Sequence, residues 1–252
     1  MKLEKRNLAH HIADANKIIF FTGAGVSTES GIADFRSPGG IWSKITPIEF
    51  SDFMADEEVR LEDWRRRFHF QKEFDAAQPN DGHLAIAELA ERGKVRALIT
   101  QNIDGLHHRS GVSDDLIIEL HGNGTTAKCL DCETGFALDD MKDLIARTGT
   151  APRCDACGGL IKSAVISFGQ PMPKDKMIDA HAACLDCDLF VVLGSSLVVQ
   201  PAASLPIIAK QNGTPLIIVN RDPTPLDDYA DLVLRGSIGN EMAQAIVDLE
   251  PS

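Results

Sequence analysis

Short runs of apolar residues recur along this chain, and they constrain its fold more than any other feature. They lie at 17–21, 95–100, 116–120, 189–193, 216–219 and 232–234. Stretches with helical spacing of apolar residues lie between or after them, at 56–75, 83–92, 201–210 and 239–249. Strands that are apolar throughout and alternate with helices are typical of a parallel sheet covered on both faces. The sequence therefore predicts an α/β protein with a Rossmann-like parallel sheet and helices on both faces.

Composition and charge exclude several classes of protein. The chain has 252 residues and a formal net charge of −12 at pH 7, whereas a dedicated nucleic-acid binder needs a basic face. No apolar run approaches the roughly 20 residues of a membrane span. Residues 1–16 are charged throughout and contain no apolar signal-peptide core. We therefore expect a cytoplasmic enzyme without direct nucleic-acid or membrane partners, and a monomer is the favoured state.

Two cysteine pairs predict a metal site. Cys129 and Cys132 form one C-x2-C pair, Cys154 and Cys157 form another, and 21 residues separate the pairs. Two such knuckles complete a tetrahedral site with four thiolates, which binds one Zn²⁺ and leaves no position open for water. The zinc is therefore expected to be structural. Apolar runs are missing from 122–160, which indicates a small inserted module, and its few basic residues argue against a nucleic-acid-binding zinc ribbon.

A third pair, Cys184 and Cys187, precedes the apolar run at 189–193. Buried free thiols are common in cores, and we interpret the pair in that way. A redox switch or partial competition for the metal is the alternative that its spacing leaves open.

A glycine turn follows the first apolar run. Gly23-x-Gly25 directly after a buried strand is the start of a dinucleotide-binding turn, in which the glycines permit a tight turn and close approach of a pyrophosphate to a helix N-terminus. The usual third glycine is absent, because position 28 is Thr28. By itself, the turn fits a dinucleotide site and a plain strand–turn–helix equally well.

Polar side chains follow the next two strands. Asn102 and Asp104 come after the run at 95–100 and can offer an amide and a carboxylate to one ligand at the carboxyl edge of the sheet. His121 follows the run at 116–120, and an unperturbed pKa near 6.5 suits a general base. Of the rival histidines, we expect His107 to support the loop and His108 to lie on the surface.

Taken together, these segments resemble the sirtuins. The motif from Gly23 to Ser37 matches G-A-G-V-S-x-x-x-G-I-x-D-F-R-S, Thr100 to His107 matches T-Q-N-I-D-x-L-H, and Gly194-Ser195-Ser196-Leu197 with Val199 and Pro201 matches a third motif. Sirtuins have no third glycine in the first motif, so Thr28 is expected. The resemblance covers about residues 17–240 and implies an NAD-dependent protein-lysine deacylase, specifically a deacetylase, which consumes NAD and releases nicotinamide and O-acyl-ADP-ribose. The alternatives are NAD-dependent mono-ADP-ribosyl transfer to protein and a non-catalytic NAD-binding zinc module.

The resemblance also implies the roles of individual residues. His121, Asn102 and Asp104 are the expected catalytic residues, His121 as the base and the other two in the nicotinamide pocket beside Ile32. Acyl-lysine protein substrates are expected at Val165, Phe168 and Gly169. The chain departs from the family at Ser167 and Gln170, where an aromatic residue and Glu are common. The expected NAD-binding residues are Gly23, Ala24, Gly25, Thr28, Asp34, Phe35, Arg36, Gln101, Asn102, Ile103, Asp104, Gly194, Ser195, Ser196, Asn220, Arg221, Gly236 and Ser237.

The expected domains are discontinuous. Residues 1–36, 77–123 and 162–252 would form the NAD-binding domain, 124–161 the zinc module, and 37–76 a helical insertion. Sirtuins that prefer succinyl-lysine or malonyl-lysine resemble one another in a Tyr-x-x-Arg pair. Its equivalent here is taken as Phe68-x-x-Gln71, with Trp64-x-x-Arg67 as a second alignment. Phe68 and Gln71 lack the hydroxyl and the charge, which predicts acetyl-lysine over succinyl-lysine.

Overall fold

The computed structural model describes residues 7–37 and 39–249. The ends of the expected NAD-binding domain, residues 1–6 and 250–252, lie outside the described residues, as does Pro38 in the expected helical insertion. The strands, in chain order, are β1 Ile18–Thr22, β2 Val95–Thr100, β3 Ile117–Glu119, β4 Gly122–Cys129, β5 Gly135–Ala137, β6 Ile161–Val165, β7 Leu189–Leu193, β8 Leu216–Val219 and β9 Leu232–Leu234. The α-helices are α1 Leu8–Asp14, α2 Phe50–Ala55, α3 Glu57–Ala76, α4 Asp81–Glu91, α5 Leu106–Arg109, α6 Leu138–Thr148, α7 Lys174–Leu185, α8 Leu205–Gln211 and α9 Ile238–Asp248.

Six strands form one parallel sheet in the order β3-β2-β1-β7-β8-β9. The chain therefore reverses direction across the sheet between β1 and β7, which lie side by side at its centre. Their register places Thr22 opposite Thr100 of β2 and opposite Leu193 of β7. The carboxyl ends of three central strands thus finish level, and the loops that follow them converge. This crevice at a topological switch point is where open α/β sheets bind ligands.

Helices cover both faces of the parallel sheet, as the sequence predicts. Ile18 and Phe20 of β1 contribute to a core shared with α1, α4 and α9. Ile19 and Phe21 contribute to the opposite core, shared with α7 and α8. All four side chains are fully buried, and each contributes roughly 1.5–3 kcal/mol through loss of apolar surface to water. The continuous apolar runs exist because every strand residue faces one core or the other.

A second sheet of three antiparallel strands, in the order β5-β4-β6, carries the cysteines. Together with α6 it packs against α3 through a separate core around the fully buried Trp64. Pairing in this sheet runs from Gly122 to Val165. The expected module, 124–161, therefore begins and ends inside paired strands, because the sheet also includes the residues next to His121 and the substrate segment.

The six predicted strands of the parallel sheet and the four predicted helical stretches are all present, with ends shifted by a few residues. The glycine turn leads into a 3-10 helix, Ala24–Ser30, and not into the α-helix of a standard dinucleotide turn. Gly31, with φ of 87°, ends that helix after two turns. Within 7–37 and 39–249, no helix is both long enough and apolar enough to cross a bilayer.

Candidate active site

A cavity of about 610 Å³ lies at the carboxyl ends of β1, β2, β7 and β8. Its far side is closed by α3 and by the segment that follows β6. The structure brings most of the predicted site residues together around it: Gly23, Ala24, Gly25, Ile32, Asp34, Phe35, Arg36, Gln101, Asn102, Ile103, Asp104, His121, Val165, Phe168, Gly169, Gly194, Ser195, Ser196 and Asn220. The predicted substrate and cofactor residues therefore share one continuous cavity.

The floor of the cavity is formed where the loop after β1 touches the loop after β7. A methyl group added at Gly23 would lie 2.7 Å from the Gly194 carbonyl oxygen, and one at Gly25 would lie 2.7 Å from Gly194 Cα. Gly194 itself has φ of 65°, which disfavours any residue with a side chain. The Gly-x-Gly pair is thus required by backbone packing against Gly194, in addition to any approach of a ligand.

Asn102, Ser27 and Asp104 form a buried hydrogen-bonded chain. The Asn102 amide donates to the Gly23 carbonyl oxygen at 3.1 Å and to Ser27 Oγ at 3.2 Å, and the Ser27 hydroxyl donates to Asp104 Oδ2 at 2.7 Å. Asp104 Oδ1 accepts from the Leu106 backbone N–H at 2.9 Å. Burial raises the pKa of Asp104, against the effect of these hydrogen bonds. Because both amide hydrogens of Asn102 are used, its carbonyl oxygen is the group left to meet a ligand.

The backbone contact of His121 orients its ring, and burial favours the neutral form. Its Nδ1 lies 3.0 Å from the Gln101 carbonyl oxygen. A carbonyl oxygen only accepts hydrogen bonds, so Nδ1 carries the proton and Nε2 keeps a free lone pair. Burial lowers the pKa of His121, the Gln101 contact opposes this, and the Arg36 charge lowers it further. Gln101 also donates from its side chain to Ser195 Oγ at 2.9 Å, which links the loops after β2 and β7.

A wall of aromatic side chains joins the loop after β1 to the segment after β6. The rings of Phe35 and Trp42 have centroids 5.0 Å apart, and Trp42 meets Phe168 edge-on at 5.8 Å. The backbone N–H of Phe50 donates to the Phe168 carbonyl oxygen at 2.8 Å. The segment after β6 is thereby attached to the start of α2. Trp42 lines the cavity, and the motifs in the sequence did not predict this. A lone aromatic residue soon after the glycines of the loop could have suggested it.

The four cysteines of the second sheet form a cluster suited to zinc. Their sulfur atoms all lie within 4.8 Å of one another, with Cys129 to Cys157 at 3.5 Å and Cys132 to Cys154 at 3.7 Å. A Zn–S bond of about 2.3 Å in a tetrahedron implies sulfur atoms about 3.8 Å apart. The donor set and spacing therefore fit one Zn²⁺ with every ligand position filled by the chain.

Four predicted NAD-binding residues, namely Thr28, Arg221, Gly236 and Ser237, are not among the residues that line the cavity. The Thr28 hydroxyl donates to the Gly25 carbonyl oxygen at 2.9 Å and so stabilises the loop from behind. Ser237 caps α9 by accepting from the Asn240 N–H and also bonds Glu29 at 3.0 Å. A methyl group at Gly236 would meet the Glu241 carboxylate. The hydroxyl groups of Thr28 and Ser237 thus form hydrogen bonds within the protein, outside the cavity.

The rival histidines differ in their surroundings. His107 is buried and bonds Thr22 Oγ1 at 3.0 Å, so it supports the strand ends as predicted. His108 lies at the surface, with 33% of its side chain exposed. Its ring is partly buried between Asp114, 2.8 Å away, and Glu119, 3.1 Å away. The hydrogen bond to Glu119, with help from Asp114, raises the pKa of His108 to about 9.

One face of α3 lines the cavity, and sequence reasoning chose the wrong residues from this helix. Phe68 packs into the core of the second sheet and stacks on Trp64, and Gln71 donates to Asp139 at 3.2 Å. Neither lines the cavity. The residues of α3 that do are Asp63, Arg66, Arg67, Phe70 and Phe74. Their spacing of three or four residues marks a single helix face, which the sequence contains as a signal.

The third cysteine pair, Cys184 and Cys187, lies in surroundings typical of free thiols in a protein core. Cys184 is fully buried in the core beneath the parallel sheet. Cys187 lies within 3.4 Å of the Cys184 carbonyl oxygen and 3.7 Å of Thr214 Oγ1. Burial raises the pKa of both thiols, Cys184 to about 12, which disfavours the thiolate. These environments agree with the interpretation as buried free thiols.

Comparison with known proteins gives a consistent result. The model of the Sir2 family matches residues 23–201. An NAD-dependent protein deacetylase of Rhodopseudomonas palustris is 51% identical over 235 residues, which cover 93% of this chain and 93% of that protein. A Sir2 homologue solved in complex with NAD has a TM-score of 0.84 at 37% identity, over 99% of this chain and 94% of that chain. A Sir2 enzyme solved with a deacetylated peptide and 3′-O-acetyl-ADP-ribose has a TM-score of 0.83 at 36% identity, over 95% of this chain and 96% of that chain.

Proposed function

The chain belongs to the Sir2 family, and from that premise we propose how its residues carry the reaction of an NAD-dependent protein-lysine deacylase. Its relatives are named deacetylases, so acetyl-lysine in a protein is the proposed principal substrate. NAD is consumed as a co-substrate and supplies the ribose carbon that receives the acyl group, with nicotinamide as the leaving group. The observation that supports these roles best is His121, held as a neutral base in the same cavity as the Asn102–Ser27–Asp104 chain.

His121 is proposed to remove a proton from a hydroxyl of the ribose. The Nδ1 contact with the Gln101 carbonyl oxygen orients the ring, so that Nε2 is the nitrogen available to accept the proton. Desolvation keeps the pKa of the ring below its ordinary value, so the base is ready at neutral pH. The ribose oxygen, once deprotonated, attacks the acyl carbon, the bond from that carbon to the lysine nitrogen breaks so that lysine leaves as the amine, and one water molecule supplies the remaining oxygen. The products are free lysine, nicotinamide and O-acyl-ADP-ribose.

Asn102 and Asp104 are proposed to shape the nicotinamide pocket rather than to exchange protons. Both carboxylate oxygens of Asp104 already accept hydrogen bonds within the protein, from Ser27 and from the Leu106 backbone. Fixed dipoles of this kind need no reorganisation when nicotinamide leaves. Phe35, packed on Trp42, is proposed to shield the reacting ribose from water. Val165, Phe168 and Gly169 are proposed to receive the extended acyl-lysine peptide by strand addition.

The zinc is structural. All four ligands come from the chain, so the metal has no open position for a substrate or an activated water. Its contribution is to fold the second sheet, which begins directly after His121. No metal chemistry is proposed in the reaction itself.

The other functions considered from the sequence are less well supported. ADP-ribosyl transfer to protein shares the departure of nicotinamide but does not require a base aimed at the ribose, which His121 provides. A non-catalytic NAD-binding module would have no use for His121 or for a cavity that extends to the substrate segment. We therefore propose deacylation over both.

Mass spectrometry of an acetyl-lysine peptide, with and without NAD, tests this function. We expect NAD-dependent loss of acetyl and formation of O-acetyl-ADP-ribose. His121→Ala should abolish both, whereas the matched control His69→Ala, on the exposed side of α3, should retain them. Transfer of ADP-ribose to the peptide or to the protein without deacetylation would instead support the transferase.

A further inference from the structure

One buried lysine lies next to the proposed acyl-lysine site and has no role in the reaction described above. Lys162, in β6, is only 1% exposed, although lysine side chains are almost always solvated. Its ammonium donates to the Val165 carbonyl oxygen at 2.5 Å, three residues further along the chain. Val165 lines the cavity, and Lys162 is not among the described residues that do. The lysine can therefore affect a ligand only through the backbone that it bonds.

The bonded carbonyl lies where β6 leaves the second sheet and enters the cavity. Gly122 of β4 pairs with Val165, but the next pair is Ala127 with Ser163. Five positions along β4 thus correspond to two along β6, which is a large bulge in β4. Bulges interrupt the regular hydrogen bonds between paired strands. The lysine therefore contacts the backbone at the end of an interrupted stretch, where strand pairing alone supports it least.

The surroundings of Lys162 join the second sheet to α2 and α3. Its ammonium lies 5.7 Å from the centre of the Phe53 ring of α2, within the range of a cation–π contact, and Phe53 is fully buried. Burial, with the charges of Arg67 and Lys128, lowers the pKa of Lys162 to about 8, and the negative charge of Asp63 on α3 opposes this. A backbone acceptor, an aromatic ring and a nearby anion thus fix the position of the ammonium.

The backbone that follows the bonded carbonyl is held at two further points. The Ile166 N–H donates to the His121 carbonyl oxygen at 2.8 Å, and the Phe50 N–H donates to the Phe168 carbonyl oxygen at 2.8 Å. Because α2 begins at Phe50, the helix whose Phe53 contacts the buried ammonium also holds the far end of this segment. The lysine, the base and α2 therefore fix one short stretch of backbone between them.

We propose that Lys162 is a positioning residue for deacylation, whose ammonium fixes the Val165 carbonyl and thereby the segment to which the acyl-lysine peptide adds as a strand. Strand addition depends on main-chain groups that are already held in place. Packing of the second sheet does not by itself require a cation here, because an apolar side chain of similar size in place of a buried charge is often neutral or stabilising. The reacting bonds are unchanged, and this inference rests on the proposed function.

Steady-state kinetics with one acetyl-lysine peptide test the proposal. Lys162→Met keeps the length of the side chain but removes the donor and the charge. We expect KM for the peptide to rise about 10- to 100-fold, the range for a hydrogen bond from a charged group, with a smaller fall in kcat and less than about a threefold change in KM for NAD. Lys162→Arg restores a cationic donor and should recover most of the loss. Lys128→Met is the matched control, because Lys128 lies opposite Lys162 in β4 but is partly exposed beside Glu133, and it should change KM for the peptide less than about threefold.

A role in folding alone gives a different result. It would lower the amount of active enzyme and so the apparent kcat, but KM does not depend on the active fraction. Phe53→Leu removes the ring beside the ammonium and should raise KM for the peptide about 2- to 30-fold, which keeps the proposal testable where Lys162→Met does not fold. An unchanged peptide KM in the folded variant, or an equal rise in KM for NAD, would overturn the proposal and leave deacetylation intact. Absence of deacetylation by the wild-type enzyme would overturn the proposed function and this inference with it.

Discussion

The hydroxyl of Ser27 is one small group whose loss should disturb the whole of the proposed nicotinamide pocket. Ser27 is 1% exposed, accepts from the Asn102 amide and donates to Asp104 Oδ2. Ser27→Ala leaves Asn102 with its second bond to Gly23, and leaves Asp104 with only the Leu106 N–H. The variant removes no large side chain, so the effect reports the hydrogen bonds and not a cavity.

The magnitude follows from the two bonds. The contact with the Asp104 carboxylate should contribute about 1.5–3 kcal/mol, and the neutral contact with Asn102 about 0.5–1.5 kcal/mol. We expect the free energy of unfolding to fall by about 2–4 kcal/mol in total. The Ser27 bond lowers the pKa of Asp104, so its loss raises that pKa further. The carboxylate form is the one that needs the bond, so the penalty should be larger at pH 8 than at pH 5.

Urea unfolding of wild type and Ser27→Ala at both pH values measures this penalty, and NAD-dependent deacetylation measures its consequence. Ser204→Ala is the matched control, because the Ser204 hydroxyl bonds the Pro201 carbonyl oxygen at 2.6 Å in an exposed turn. That variant should lose less than about 1 kcal/mol. A Ser27→Ala penalty equal to that of Ser204→Ala, with unchanged kcat/KM, would refute the argument.

Four further predictions concern pH and metal. Because the pKa of His121 is lowered, kcat/KM should stay level through neutral pH and fall only below the ordinary histidine value of about 6.5. Arg36→Met removes a charge that lowers the His121 pKa, so the acid limb of that profile should move to higher pH. Cys154→Ser should reduce bound zinc, measured by metal analysis, from one per chain to none, with loss of deacetylation. The pKa of His108 is raised to about 9, so its contact with Glu119 stabilises the fold below pH 6.5 and that stability is lost as pH rises through 9. Urea midpoints of His108→Gln should therefore trail wild type at pH 6 and match it at pH 10.

The strands and the motif loops could be predicted because their signals are local. A fully buried parallel strand such as β7 needs apolar residues on both faces, so a continuous apolar run in the sequence predicts its position. The ends of predicted strands also identify candidate site residues, namely Gly23 and Gly25 after β1 and the polar residues after β2. The zinc site is equally local, since two knuckles of four residues contain all its ligands.

Features that depend on the packing of distant segments could not be predicted in this way. Whether Phe68 or Arg67 faces the cavity depends on how α3 rotates against β4, and adjacent helix positions differ by about 100°. The contact between Gly194 and the loop after β1 joins residues about 170 positions apart in the sequence, and it explains the glycines only once β1 and β7 are seen side by side. His108 has acidic partners on two different segments, which its own neighbours in the sequence do not reveal.

The structural zinc and the chemistry are connected through one pair of strands. Gly122 pairs with Val165, so the strand that starts after His121 lies against the strand that ends at the substrate segment. The Ile166 N–H donates to the His121 carbonyl oxygen at 2.8 Å, which extends this pairing to the base itself. At the other end of the same two strands, Cys129 pairs with Ile161, next to the cluster of thiolates. A zinc ion bound there would hold together the strands whose opposite ends position His121 and the proposed acyl-lysine site. Loss of zinc should therefore impair peptide binding and proton transfer together, even though no bond to the metal changes during the reaction.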